Sequence, residues 1–171
     1  MSDKNKTVKA LQQQLQVMSN VLDNIGSFVY SKDLNGKYTY ANADVAKLFN
    51  TPVQEIIGKD DSQFFDLNVS NELRENDQKV IDSKTPLITE ERNMVKSTGK
   101  VHTYTIIKQP IFNNNGEVTG LSGISIDITE QKELEAKNRE QKQLLDVILD
   151  NVDAYIYMKD LTWSTQFKHP S

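Results

Sequence analysis

The chain has 171 residues, 37% hydrophobic and 26% charged, with a formal net charge of −4 and no cysteine. That allows one ordinary core with extensions but not two full domains, and zero cysteine excludes disulfides, thiolate metal sites, cysteine nucleophiles and cysteine-based photoadducts. Mixed charge of slight acidic excess argues against nucleic acid as the main partner; with no apolar run near the roughly 20 residues that span a bilayer, and no signal-peptide core in MSDKNKTVKA, a cytoplasmic location without a membrane segment is expected.

Val8, Leu11, Leu15, Met18, Leu22 and Ile25 recur at alternating spacings of three and four, the a/d seam of an amphipathic helix. Such a helix lies on its own domain or pairs with a second copy. The narrow seam favours pairing, so a homodimer through Val8, Leu11, Leu15, Met18 and Leu22 is expected. Gly26 ends this helix.

Two aromatic, β-branched runs, SFVYSK and KYTY, flank Asp33-Leu34-Asn35-Gly36 and read as a β-hairpin. Asn42 is placed to cap a helix over ADVAKLFN, with Val45, Leu48 and Phe49 on one side. Pro52 opens a second short helix closed by Gly58, Asp60 to Phe65 suggests another turn, and Asn68 to Ser83 a longer helix burying Leu73, Val80 and Ile81.

After Pro86 the period returns to two, over Leu87 to Val95, Val101 to Ile111 and Val118 to Thr129, with turns at Ser97-Thr98-Gly99-Lys100 and Asn113-Asn114-Asn115-Gly116. Alternation sets Val118, Ile124 and Ile126 on one face of the last strand and Leu121, Ser125 and Asp127 on the other. The last strand runs directly into the charged segment EQKELEAKNREQKQLL, with Thr129 placed as its N-cap. The expected class is α+β: a five-stranded antiparallel sheet with short helices on one side, an N-terminal amphipathic helix and a C-terminal linker helix.

No catalytic group emerges from this pattern. Glu90 and Glu91 are adjacent on a strand, face opposite ways and read as strand-edge charge rather than an acid and base pair. His102 has no second His or Cys nearby to complete a metal site. Gly116, Gly120 and Gly123 are turn and strand glycines with no helix at phosphate-loop distance.

The hairpin DLNGKYTYAN, the segment VQEIIGKD, the finish KQPIFNNNGEVTGLSGISIDIT and the trailing Glu130-Gln131-Lys132 together resemble a PAS domain, also called a sensory box, over Asn24 to Thr129. The resemblance implies a pocket between sheet and short helices, dimeric association through flanking helices and control of a downstream output. In bacterial chains of this type that output is most often a histidine kinase of a two-component system or a diguanylate cyclase, so the segment itself is expected not to be an enzyme. Pocket candidates are then Phe28, Tyr30, Tyr40, Val45, Leu48, Phe49, Ile57, Phe64, Phe65, Val80, Tyr104, Ile106, Ile124 and Ile126. Asp127 and Thr129 match the family's terminal signature, with Lys32 as a cation for Asp127. Haem-binding PAS domains usually take a His from the helix before the sheet, absent from Asn68 to Ser83, and the flavin-adduct branch needs a Cys, so haem, flavin and metal are all disfavoured. The function expected is a sensory module for a small molecule or partner, with a constitutive dimerisation and spacer domain as the alternative.

Val21 to Leu34 returns as Ile148 to Leu161 with half the positions identical and the apolar pattern kept. The expected organisation is a dimer helix over 1–23, the PAS domain over 24–129, a signalling linker over 130–149, and over 150–171 the truncated start of a second repeat. The tail WSTQFKHPS looks non-native, so Trp163 and His169 carry no functional weight.

Overall fold

Asn35-Gly36 makes the tight turn that its composition dictates: Gly36 takes φ 75, Gly36 N donates to Asp33 O and the Asp33 carboxylate accepts from Asn35 N and Lys37 N. This turn joins β1 (Phe28–Asp33) to β2 (Tyr38–Ala41), which pair antiparallel. The computed structural model describes residues 2–70 and 72–151; most of the returning motif at 148–161, with Trp163 and His169, lies outside the described residues. The chain divides into two units, 1–133 and 134–171, and the fold below is that of the first.

Helix α1 (Ser2–Asp23) precedes the sheet, and α2 (Ala43–Phe49), α3 (Val53–Ile56), a 3-10 turn (Asp61–Gln63) and α4 (Glu72–Ser83) follow the hairpin. Then come β3 (Leu87–Val95), β4 (Lys100–Phe112), β5 (Val118–Asp127) and α5 (Thr129–Asn151). The sheet order is β2-β1-β5-β4-β3, all antiparallel, so the expected five-stranded sheet is present. The main difference is at α4, which begins at Glu72 rather than Asn68. Asp66 accepts from Asn68 N and Ser70 Oγ from Met94 N, so this stretch hydrogen-bonds to its own turn and to β3.

Asn42 fixes the hairpin to its surroundings by using all of its amide capacity. Its Oδ1 accepts from Val29 N and from Val45 N, the helix cap expected from sequence, while its Nδ2 donates to Leu22 O and Ser27 O. One side chain thereby ties the end of α1, the start of β1 and the first turn of α2. The core lies between the sheet and the short helices, and includes Tyr30, Tyr38, Val45, Phe49, Ile56, Phe64, Phe65, Leu73, Val80 and Leu121.

Beyond Leu121 the inner face of β5 is built from small residues, Gly123 and Ser125. A Cβ added at Gly123 would collide with the phenol end of the Tyr30 ring, its Cζ, Cε2 and hydroxyl, which reaches over the strand at this register. Gly123→Ala is therefore expected to cost about 1–3 kcal/mol through forced displacement of Tyr30. Chemical denaturation checks this; a cost within 0.5 kcal/mol, about the usual range for surface changes, would mean that the ring moves freely.

On the outer face, Val29, Ile124, Ile107 and Ile88 stand in register across four strands. Ile124 and Ile126 therefore face away from the core, contrary to their expected place at a pocket. Alternation gave the two faces of β5 correctly, but the bulkier side chains took the outer one.

Candidate functional site

Beneath the short helices the inner face of the sheet carries charge where a hydrophobic core is the norm. Lys32 of β1 and Lys108 of β4 are both fully buried, each at an inward position of its strand. Lys32 Nζ reaches Asp61 at 2.6 Å and Asp77 at 2.8 Å; Lys108 Nζ reaches Asp77 at 2.7 Å and Glu91 at 2.8 Å. The result is an unbroken alternating row, Asp61, Lys32, Asp77, Lys108, Glu91. Tyr38 donates to Asp61, and the amides of Asn76 and Asn93 donate to Glu91. Burial alone would drive Lys108 down and Asp77 up; the opposite charges beside them outweigh it, so Lys108 sits above its ordinary range and Asp77 below. Lys32 is likewise raised, burial being overcome by Asp61 and Asp77. Lys32, Asp77 and Lys108 are thereby held ionised.

Glu91 is thus no strand-edge charge. Glu90 is exposed on the outer face, where it meets Lys132 at 2.8 Å, while Glu91 points inward as the alternation of β3 requires. Lys32 is not a partner of Asp127 either. It stands opposite Leu121, and six further residues along β5 place Asp127 about 20 Å away.

A cavity of about 30 Å³ lies beside this row. Each enclosed water needs about 10–15 Å³ on this measure, so there is space for roughly two. Of the expected pocket residues, Phe28, Tyr30, Val45, Leu48, Phe49, Phe65 and Tyr104 line it. The remainder lie elsewhere: Tyr40 stands opposite Ser31 on the outer row, Ile57 and Phe64 line a separate groove, Val80 and Ile106 are packed solidly in the interior, and Ile124 and Ile126 face outward. The polar part of the lining, Lys32, Tyr38, Glu91, Asn93 and Ser125, was missed from sequence. Among the described residues, two buried polar atoms at the cavity have no partner, Asn93 Oδ1 and the Tyr104 hydroxyl. Burial raises the Tyr104 phenol, with the Asp127 charge adding to it, so it remains protonated.

Tyr104 also connects the cavity to the end of the sheet. Its ring packs edge-on against Phe28 at 5.8 Å, stacks with His102 at 6.0 Å, and its register partner in β5 is Asp127. His102 Nδ1 lies 2.8 Å from Asp127 Oδ2, while Asp127 Oδ1 accepts from the Thr129 N–H and hydroxyl. Burial works against the charge on Asp127 and is outweighed by the Thr129 and His102 hydrogen bonds, so its carboxyl lies below the ordinary range. Thr129 Oγ1 accepts in turn from Thr103 N. Thr129 is thus the first residue of α5 and not its cap. Ile128 O takes the Lys132 N–H, and Asp127 Oδ1 accepts the first N–H of the helix, that of Thr129 itself.

Among the described residues no group of His, Cys, Asp and Glu could hold a metal ion, and no helix is long and apolar enough to cross a membrane.

Comparison with known proteins agrees with this geometry. The family model described as PAS fold matches residues 22–133. A diguanylate cyclase of Vibrio cholerae is 39% identical over 123 residues, covering 71% of this chain and 38% of its own length. The methanogenesis regulatory histidine kinase FilI of Methanothrix harundinacea is 28% identical over 125 residues, covering 73% of this chain and 14% of its own length. The chain therefore spans well under half of either relative. The crystal structure of a PAS domain from Colwellia psychrerythraea superposes with TM-score 0.58 at 19% identity, covering 68% of this chain and 98% of that one. On the family match and the sheet order together, this chain belongs to the PAS fold family.

Proposed function

We propose that this chain is the sensory module of a larger signalling protein, binding a small molecule in the cavity and passing the change through Asp127 and Thr129 into α5. The observation that carries this reading is the pair of buried, partnerless atoms at the cavity, Asn93 Oδ1 and the Tyr104 hydroxyl. A buried polar atom left without a partner costs about 1–3 kcal/mol, which an occupant with matching groups removes. Tyr104 belongs to the cavity and also faces Asp127, so an occupant that shifts its ring acts directly on the residue holding the start of α5.

The two relatives are a diguanylate cyclase and a histidine kinase, and one of these activities is accordingly the output proposed for the parent, acting in the cytoplasm. Neither haem nor flavin enters the reading, and the purified protein is expected to be colourless. Mass spectrometry of material released on denaturing the purified chain tests the binding reading: a stoichiometric small molecule supports it. A colourless protein that releases nothing, and whose melting no small molecule shifts, overturns it in favour of a constitutive spacer. The small size of the cavity favours that second reading.

Association is proposed to run through α1, where Val8, Leu11, Leu15 and Met18 are each more than half exposed and Leu22 is half-buried. A solvent-facing apolar seam of this spacing is stabilised by a second helix. Replacing Leu11 and Leu15 with Lys should convert dimers to folded monomers in sedimentation. An unsubstituted chain that is monomeric at high concentration would exclude the seam as an interface.

A further inference from the structure

The buried row of charges has a carboxylate at each end. Two lysines face three carboxylates, Asp61, Asp77 and Glu91, which leaves a formal charge of −1 in the interior. Outside the row, Arg74 with Asp60 is exposed and cancels itself, and the exposed Lys79 reaches only the far side of Asn76, donating to its Oδ1 at 3.2 Å. Asp61 and Asp77 border an outer groove of about 160 Å³, whereas Glu91 borders the inner cavity.

Glu91 Oε1 is occupied by Lys108 and Asn76, whereas Oε2 has only a 3.3 Å contact from Asn93 Nδ2. Because that amide nitrogen is turned to the carboxylate, the amide oxygen is fixed as the free end, and Asn93 is 97% buried. The cavity therefore presents two acceptors with spare capacity beside an excess negative charge, with Phe28 and Tyr30 in the same lining. Aromatic faces in a site poor in water favour a cation. The same wall already has one: Lys32 Nζ lies 5.4 Å from the Tyr30 ring centroid and 5.1 Å from that of Tyr38.

We infer that the occupant of the cavity is a short primary amine of about two or three non-hydrogen atoms, bound as its ammonium ion between Asn93 Oδ1 and Glu91 Oε2. This names the ligand class for the sensing role proposed above and rests on it. An ammonium supplies up to three N–H donors and the missing positive charge, while its short alkyl stem meets the aromatic wall.

The test is an NMR titration of the whole chain with ethylammonium chloride, with sodium chloride at equal ionic strength and ethanol as controls. Saturable shifts at Asn93, Tyr104 and Ser125 with ethylammonium alone are expected. Asn93→Ala leaves the Lys108–Glu91 pair in place and should weaken binding by about tenfold. Glu91→Gln should abolish binding, and if that variant fails to fold, Asn93→Ala alone decides. Equal binding of ethanol, unchanged affinity in Asn93→Ala, or release of a molecule of another class on denaturation overturns the amine while leaving sensing intact. No shift with any probe and nothing released overturns both.

Discussion

Lys108→Met is expected to destabilise the domain by about 3–5 kcal/mol, the usual cost of removing one partner from a buried ion pair. Methionine fills most of the volume, so the loss is electrostatic: Asp77 keeps only Lys32, and Glu91 is left with two neutral amide donors. Against the 5–15 kcal/mol that holds a typical domain together, this is a large fraction. Urea denaturation measures it, and Lys108→Met combined with Glu91→Leu should recover part of the loss, because the orphaned carboxylate is then gone as well. A cost below about 1 kcal/mol for the single change would show that the row is not a coupled unit. The row also sets the pH range of stability. Asp77 has its folded pKa depressed, so its contribution is present above the unfolded value of about 3.9 and disappears as pH falls through the folded one. Lys32 and Lys108 are raised, so theirs is complete below about pH 10.4 and disappears as pH rises through the folded values. The denaturation midpoint should accordingly be flat from about pH 5 to about pH 10 and fall on both sides.

Asp127→Ala is expected to abolish the response of the parent protein while leaving the domain folded. The carboxylate joins His102 in β4 to the first N–H and hydroxyl of α5, and Thr129 returns a hydrogen bond to Thr103. Both residues are partly exposed, so the stability cost should be modest, about 1 kcal/mol, as for loss of a helix cap. The larger effect is geometric, because α5 would keep its contacts to Thr103 and Glu90 but lose the tie through Asp127 to His102. Thr129→Val, which keeps the shape and removes the hydroxyl, should have the same effect in weaker form. Output activity of the full-length parent, with and without stimulus, decides; a normal response in Asp127→Ala would mean that the signal leaves by another surface.

The strands, turns and helix cap were legible because each carries a local signal: β-branched alternation, Asn-Gly at a hairpin tip, Asn42 ahead of an apolar run. The charged interior was not, since lysines and carboxylates on strands ordinarily face water. One signal was available. Tyr104, Ile106 and Lys108 alternate on β4, so any reading that buried Tyr104 also buried Lys108. The pocket was half legible for a related reason. Period-two alternation divides β5 into two faces without saying which is inner, and the inner one holds Gly123 and Ser125, which only the Tyr30 ring opposite explains. At the junction Asp127 accepts hydrogen bonds, one of the two roles expected of it, whereas Thr129 begins the helix instead of capping it, because capping geometry depends on where the first helical turn starts.

The strand order has a consequence for biosynthesis. The last strand to leave the ribosome, β5, occupies the middle of the sheet between β1 and β4. Its pairing with β1 closes a loop of about 90 residues, the slowest kind of contact to form. Until Asp127 has emerged, the nascent chain has two separate hairpins, each with a bare edge and a half-covered row of isoleucine or aromatic side chains. At about 5–20 residues per second the stretch from Phe112 to Asp127 takes about one to three seconds, and it is when a chaperone would find most to hold.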